Sequence, residues 1–499
     1  MQKNLPALLT PDMRFDLLAR LTTIRSEHLA WACGALFATA TFLMATVRYA
    51  GLHTTFYDLG VFEHFAYRFL QGDLSVLTSA WSEPIPYTHI QPIFILHALA
   101  YAVLPSPLTL VALQSLTLGL TFPLLERLAA KIAPAPAPHL MPALLLTSGP
   151  MWFQALFDFH TDHVAIPAAL LAIWGIVEGR AGRILLGVAL VALAKENFII
   201  TAALLATVGA VRHRSWLLGS AGLMLFAAGS WVIIRHLPAV TPAGVPALPA
   251  FQHLGANGAE IFSNCVGQPS LLFSAFDASK VRYLALIFLP ALGLAFLGWD
   301  LLIPSAFTFT FVLLSTNPSH SCTCTQYTAG VLPFVLAATA LGWARFIRRA
   351  PGPIARRLPW AITVATVLVF LADSPSPLGR QFLMNKGLFG WSRYVEGWRL
   401  DEASSVAAAI PADATISLQN SINASVFIRR PHVLPFPTGL FEPAPFTGRI
   451  AEFAVIDTTR DRFIVDAVKP EIYVAAVSRL RSNGVPVARS GSIEVYRLR

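Results

Sequence analysis

The densest group of reactive side chains in this chain is FDFHTDH, which places Asp158, His160, Asp162 and His163 within six residues between two apolar runs. Carboxylates and imidazoles at this spacing suit general acid and base work, a divalent-cation site or phosphate handling. Ionisable groups at a membrane boundary are costly unless they are solvated, paired or bound. The plainer alternative is a solvated loop in which Asp158 or Asp162 caps a helix.

Three further motifs have similar chemistry. YDLGVFEH carries Tyr57, Asp58, Glu63 and His64. Asp58 suits a general base or a metal ligand, or else the N-cap of a helix running through Phe62 to Leu70. YTHIQPIF supplies His89 and Gln91, and ALAKENF supplies Lys195 and Glu196. Lys195 would meet a phosphate as a point charge, with a snorkelling structural ion pair as the alternative. The weaker segment TNPSHSCTCTQYT adds His320, Gln326 and Tyr327. Cys33 falls inside an apolar run, whereas Cys265, Cys322 and Cys324 fall between runs, where an oxidising compartment permits Cys265 to bridge to Cys322 or Cys324. The Cys-x-Cys pair lacks the second pair that would complete a four-ligand metal set.

The elements holding these groups are membrane spans. Of 499 residues, 55% are hydrophobic and only 13% charged, against about 25% charged in soluble proteins. That excludes a soluble globule, a disordered chain and a disulfide scaffold. The net charge of +9 reflects topology: no basic stripe interleaved with aromatics suggests nucleic acid. Apolar runs at 29–49, 107–125, 140–156, 164–178, 184–195, 198–211, 215–234, 283–298, 301–315, 328–344 and 359–372 predict about 11 transmembrane helices.

Arg127 with Lys131, Arg180 with Arg183, Arg212 with Arg214, and Arg345, Arg348, Arg349, Arg356 and Arg357 mark cytoplasmic loops. Residues 1–28 read as a cytoplasmic amphipathic lead-in, and 29–372 as the transmembrane domain. The outer face then receives a large first loop at 50–106, the turn at 158–163, loops 235–282 and 316–327, and everything after 373. Residues 90–104 are short for a crossing and read as an interfacial or re-entrant helix. From 373 to 499 the composition turns mixed, predicting an extracytoplasmic α/β domain with strands near 415–417, 454–457, 472–477 and 493–498 and a helix near 402–409.

The ordered set YDLG, His89 with Gln91-Pro92, DFH, KE and QY, with the tail IPADATISLQNSINASVFIRRPHVLPFP and a strand like FAVID, resembles a bacterial and archaeal family of predicted membrane proteins with a domain of unknown function. That family distantly resembles the GT-C glycosyltransferases, polytopic enzymes that use lipid-phosphate-linked sugars. The resemblance implies a GT-C-like fold and a multi-pass protein of the bacterial inner membrane, with its C-terminal domain periplasmic. In that superfamily an acidic residue of the first outer loop is base or metal-site residue, and a second acidic motif follows in the next outer loop. Asp58 and the Asp158/Asp162 cluster fall at matching places, although a lone Asp58 replaces a paired carboxylate motif.

The expected function is transfer of a sugar from a polyprenyl-phosphate donor to an acceptor at the outer face, with membrane lipid as solvent and no nucleic acid. Asp58, Asp158, His160 and Asp162 would be catalytic. Tyr57, Glu63, His89, Gln91, Lys195, Glu196, Gln326 and Tyr327 would bind substrate. A divalent cation, Mg2+ or Mn2+, would sit on Asp58, Asp158 or Asp162. The competing classes are a transporter or flippase for a lipid-linked or anionic substrate, and a non-catalytic envelope-assembly protein.

Overall fold

The first apolar run folds as part of one unbroken 40-residue helix, α1 (Pro11–Ala50), in a computed structural model that describes residues 11–74, 89–236, 248–444, 448–459 and 470–498. Residues 1–10 of the expected lead-in, and parts of the loops 50–106 and 235–282, lie outside the described residues. A π-helical turn, Phe56–Gly60, leads into α2 (Val61–Leu70). At ten residues, or about 15 Å, α3 (Phe94–Val103) is too short to cross a bilayer. Next come α4 (Pro107–Gly119), α5 (Thr121–Ile132), α6 (Ala137–Leu146), α7 (Gly149–Leu156), α8 (Ala165–Glu178), α9 (Ala181–Ala194), α10 (Ile199–His213) and α11 (Trp216–Trp231).

Among the described residues, five helical stretches are long and apolar enough to cross a membrane: 25–50, 107–132, 161–178, 216–236 and 352–372. Two expected spans are broken. Residues 140–156 divide into α6 and α7 at Thr147 and Ser148, where Gly149 and Pro150 start a new helix. Residues 283–298 bend by 97° between Ala291 and Leu294. Pro290 and the left-handed Leu292 and Gly293 end the first arm there. The second arm lies flat against the helix Leu332–Ile347, so closely that a Cβ on Gly342 would strike the Leu294 carbonyl. Small residues allow this approach between apolar helices.

Charge sorts the bundle into two ends. Arg127 pairs with Glu27, while Lys131 and Arg183 share Glu178, and His213 Nε2 donates to the Ile176 carbonyl at 2.7 Å. These groups tie together the N-terminal half of α1, the ends of α5, α8 and α10, and the start of α9. Arg48, at the other end of α1, lies about 32 Å along the helix from Glu27, at the level of FDFHTDH.

The C-terminal residues form a five-stranded sheet in the order β2-β1-β3-β5-β4, with β1 (Ile416–Leu418), β2 (Val433–Pro435), β3 (Phe453–Asp457), β4 (Val485–Ser490) and β5 (Ile493–Arg497). β1 runs parallel to β2 and β3, and β5 antiparallel to β3 and β4. The run 472–477, expected as a strand, lies instead in the helix Pro470–Asn483. Tyr473, Val477 and Leu480 line one side of that helix against the sheet core, a spacing of 3.6 rather than 2.

One apolar cluster joins this sheet to the bundle. Phe56, Leu59, Phe62 and Phe65 pack with Ile416, Ile422, Phe427 and Val495. The segment after α1 is therefore core rather than a free outer loop.

Candidate functional site

Arg48 closes α1, and the extended residue Thr55 (φ −108°, ψ 147°) starts the π turn that carries Asp58. Single π turns inside helical segments often mark functional sites. Thr55 bridges the two acidic motifs. Its amide donates to Asp158 Oδ2 at 2.6 Å and its hydroxyl to Asp58 Oδ2 at 2.7 Å. His160 Nε2 stands 3.1 Å from Asp58 Oδ1. Arg48 faces Asp158 at 3.6 Å and also donates to the carbonyls of Leu156 and His53.

Asp58 therefore does not cap α2. Gly60 holds that position without a side-chain bond, and both Asp58 oxygens are engaged elsewhere.

The FDFHTDH turn is buried, not solvated: Asp158, His160, Asp162 and His163 are each at most 8% exposed. Neither aspartate caps a helix there, because the cap position falls on His160. Its geometry depends on a residue that motif reading overlooked. Gln114, the lone amide in α4, donates to the Gln154 and Asp158 carbonyls at 3.1 and 3.3 Å and accepts the His160 amide at 3.0 Å. Gln154 repeats the device across the loop, donating to the carbonyls of Thr325 and Gln326. Gln91 accepts the Thr161 hydroxyl at 2.5 Å. His163 is turned to the His160 carbonyl and to His97, whose Nε2 lies 3.4 Å away.

Electrostatics separates the two central carboxyls. Burial pushes Asp58 upward, but the hydrogen bond and charge of His160, the Thr55 hydroxyl and the Lys195 charge outweigh it and hold it below the usual carboxylate range. Asp158 moves the other way: burial and the Asp58 charge outweigh Arg48 and raise it to about 6. Burial also pushes the Tyr57 phenol up to about 12.

A second layer lies beside the first. Lys195 faces Asp162 at 3.6 Å and sits 5.7 Å from the centre of the Tyr327 ring. Glu196 accepts from the Ile90 amide at 2.8 Å and pairs with His89 at 2.6 Å. Lys195 and Glu196 are thus not partners in one snorkelling pair. Next to them opens a cavity of about 660 Å³, lined by apolar Ile233, Phe251, Phe307, Phe311 and Leu314 and by polar His89, Lys195, Glu196, Asn197, His320 and Tyr327. His320 is fixed by Ser315 at 2.7 Å.

Glu63 stands apart. It is fully buried against the sheet, bound to Arg429 at 3.0 Å and to the Tyr101 hydroxyl at 3.2 Å.

The carboxylates do not make a common metal shell. Asp58 is committed to His160, Asp158 to Arg48 and Asp162 to Lys195. Among the described residues no group of three or more His, Cys, Asp or Glu side chains is arranged to hold a metal ion. The cysteines also differ from expectation: Cys322 bonds to Cys324, with Cα atoms 5.0 Å apart, and Cys265 is free. Cys265 belongs to the helix Gly258–Gly267, in the small cluster around Leu254 and Phe251, while the Cys-x-Cys turn brings its own two sulfurs together.

The family model of the predicted membrane proteins DUF2079 matches residues 48–447. The chain belongs to this family. The matched range of this DUF2079 protein opens on Arg48 and contains every side chain of the site described above. No curated protein matches the chain. Among solved structures, ArnT from Cupriavidus metallidurans bound to undecaprenyl phosphate is similar over 93% of this chain and 98% of its own, at 13% identity and a TM-score of 0.48. The apo state of the same ArnT is similar over 93% and 97%, at 12% identity and a TM-score of 0.49.

Proposed function

We propose that this DUF2079 protein is a membrane glycosyltransferase that moves a sugar from a polyprenyl-phosphate donor to an acceptor hydroxyl at the outer face of the bacterial inner membrane. One observation carries the reading: a largely apolar cavity has Lys195 in its wall, and the Lys195 charge reaches Asp58, which is paired with His160. Apolar walls suit a prenyl chain, and an ammonium in the cavity wall suits a phosphate. Asp58 keeps 16% of its side chain accessible.

In this reading the acceptor oxygen bonds to the anomeric carbon, the bond from that carbon to the phosphate oxygen breaks, and the acceptor proton passes to Asp58. His160 keeps Asp58 ionised and aimed, and Lys195 stabilises the departing phosphate. The basic end of the bundle supports a cytoplasmic position for that end. The Cys322–Cys324 bridge, in the loop beside the cavity, supports an oxidising compartment for the other, with the C-terminal sheet on that side.

The test uses the purified chain in lipid nanodiscs with a panel of polyprenyl-phosphate sugars. Wild type transfers sugar, and Asp58→Asn lowers turnover by about 10²- to 10⁴-fold while its unfolding temperature holds. Undiminished turnover in the mutant removes Asp58 from the base role. Absence of transfer by wild type from every donor overturns the reading itself.

A further inference from the structure

We infer that Asn420, two residues beyond β1 of the C-terminal sheet, is a positioning residue for Asp58, so that the sheet completes the transferase site. The inference rests on the transferase reading above.

The argument starts from the backbone of the π turn. The first N–H groups of any helical turn have no partner within it. Here the two amides that precede Asp58 are both held by one distant residue. Phe56 N–H donates to the Asn420 carbonyl at 2.8 Å, and Tyr57 N–H donates to Asn420 Oδ1 at 2.9 Å. The second bond fixes the amide orientation, because only the side-chain oxygen accepts.

Asn420 is itself firmly held. It is fully buried, and the residue before it is locked into the sheet: Gln419 donates its amide to the Val455 carbonyl at 3.0 Å and accepts the Asp457 amide at 2.6 Å. Three residues on, Asn423 donates to the Thr54 hydroxyl at 3.1 Å. A Cβ on Gly60 would come within 2.6 Å of Asn423 Oδ1, so segment 419–423 and the Asp58 turn are in close contact.

Asn420 Nδ2 is buried without a hydrogen-bond partner. Such an atom is costly, and a residue serving only to fill the core would omit it. What the position retains is Oδ1, and Oδ1 is aimed at the amide next to Asp58.

The test compares wild type, Asn420→Ala and Asn420→Asp as full-length chains in nanodiscs, by transfer kinetics and by amide hydrogen exchange. Asn420→Ala should lower kcat by about a hundredfold with the donor KM unchanged, and should speed exchange at the Tyr57 amide more than at Phe56. Asn420→Asp keeps an acceptor oxygen and should restore Tyr57 protection, while its charge moves the acidic limb of the kcat profile to higher pH. Wild-type kcat in Asn420→Ala, or a profile left unmoved by Asn420→Asp, overturns the inference. If wild type transfers no sugar, the functional reading fails alone; Tyr57 protection then decides this proposal, and its retention in Asn420→Ala sinks it.

Discussion

Lys195 Nζ faces Asp162 Oδ2 at 3.6 Å, with both side chains at most 2% exposed. Neither Asp162 oxygen has a hydrogen bond, so Lys195 is what balances this carboxylate. Removing one member of a buried pair costs about 3–5 kcal/mol because the other charge stays behind. Lys195→Met should therefore unfold at markedly lower temperature, and Lys195→Met with Asp162→Asn should recover stability without recovering transfer. Recovery of both would show that Lys195 only balances Asp162.

His160→Gln keeps an amide donor for Asp58 but loses the imidazole. His160 is the strongest influence lowering Asp58, against burial. Its loss should move the acidic limb of the kcat profile to higher pH and cut turnover by about 10²-fold. A limb at the wild-type pH would show that His160 does not set the ionisation of Asp58.

Stability should depend on pH with opposite signs for the two central carboxyls. Asp158 is raised to about 6, so between the ordinary carboxylate pKa and 6 the folded chain holds more protons than the unfolded one, and stability falls as pH rises through that window. Asp58 is lowered, so its contribution is lost only below the ordinary carboxylate range. Unfolding temperatures measured from pH 4 to pH 8 should decline toward pH 6 in wild type and lose that decline in Asp158→Asn. An identical decline in the mutant would assign it to another group.

At the junction of bundle and sheet, Arg429 binds both Glu63 and the Pro105 carbonyl, the latter at 2.6 Å. Arg429→Ala should cost about 3–5 kcal/mol by leaving Glu63 buried and unpaired. Adding Glu63→Gln should restore much of it, read as unfolding temperature. Equal stability of the single and double variants would refute the pairing.

Much of this arrangement was legible in the residues. FDFHTDH stood out because four ionisable groups in six residues are too costly at a membrane boundary to lack a purpose, and the structure brings His160 to Asp58 and Asp162 to Lys195. The supports were not legible. Arg48 looks like an ordinary helix-end basic residue, Thr55 like loop, and Gln114 like one polar interruption in an apolar run; a lone amide on the same helical face as the buried Leu110 and Leu118 is the available signal. Glu63 lies close to Asp58 in sequence, yet five positions along a helix turn it toward the sheet. The broken spans escaped because hydropathy records composition, not the 97° bend imposed by Pro290 and Gly293. Within the helix Pro470–Asn483, Ile472, Tyr473, Val474 and Val477 favour strands individually, whereas burial at Tyr473 and Leu480 follows a helical period.

The bonds from Asn420 to the Asp58 turn span 363 residues of chain. At 5–20 residues per second, the turn exists for roughly 20–70 s before its partner is synthesised. The membrane helices are therefore made before the residue that holds the amides of Phe56 and Tyr57 in the folded chain. If Asn420 aligns Asp58, that alignment follows synthesis of the last membrane helix, 352–372, and a nascent chain arrested before β1 would carry its membrane helices yet leave Asp58 unaligned.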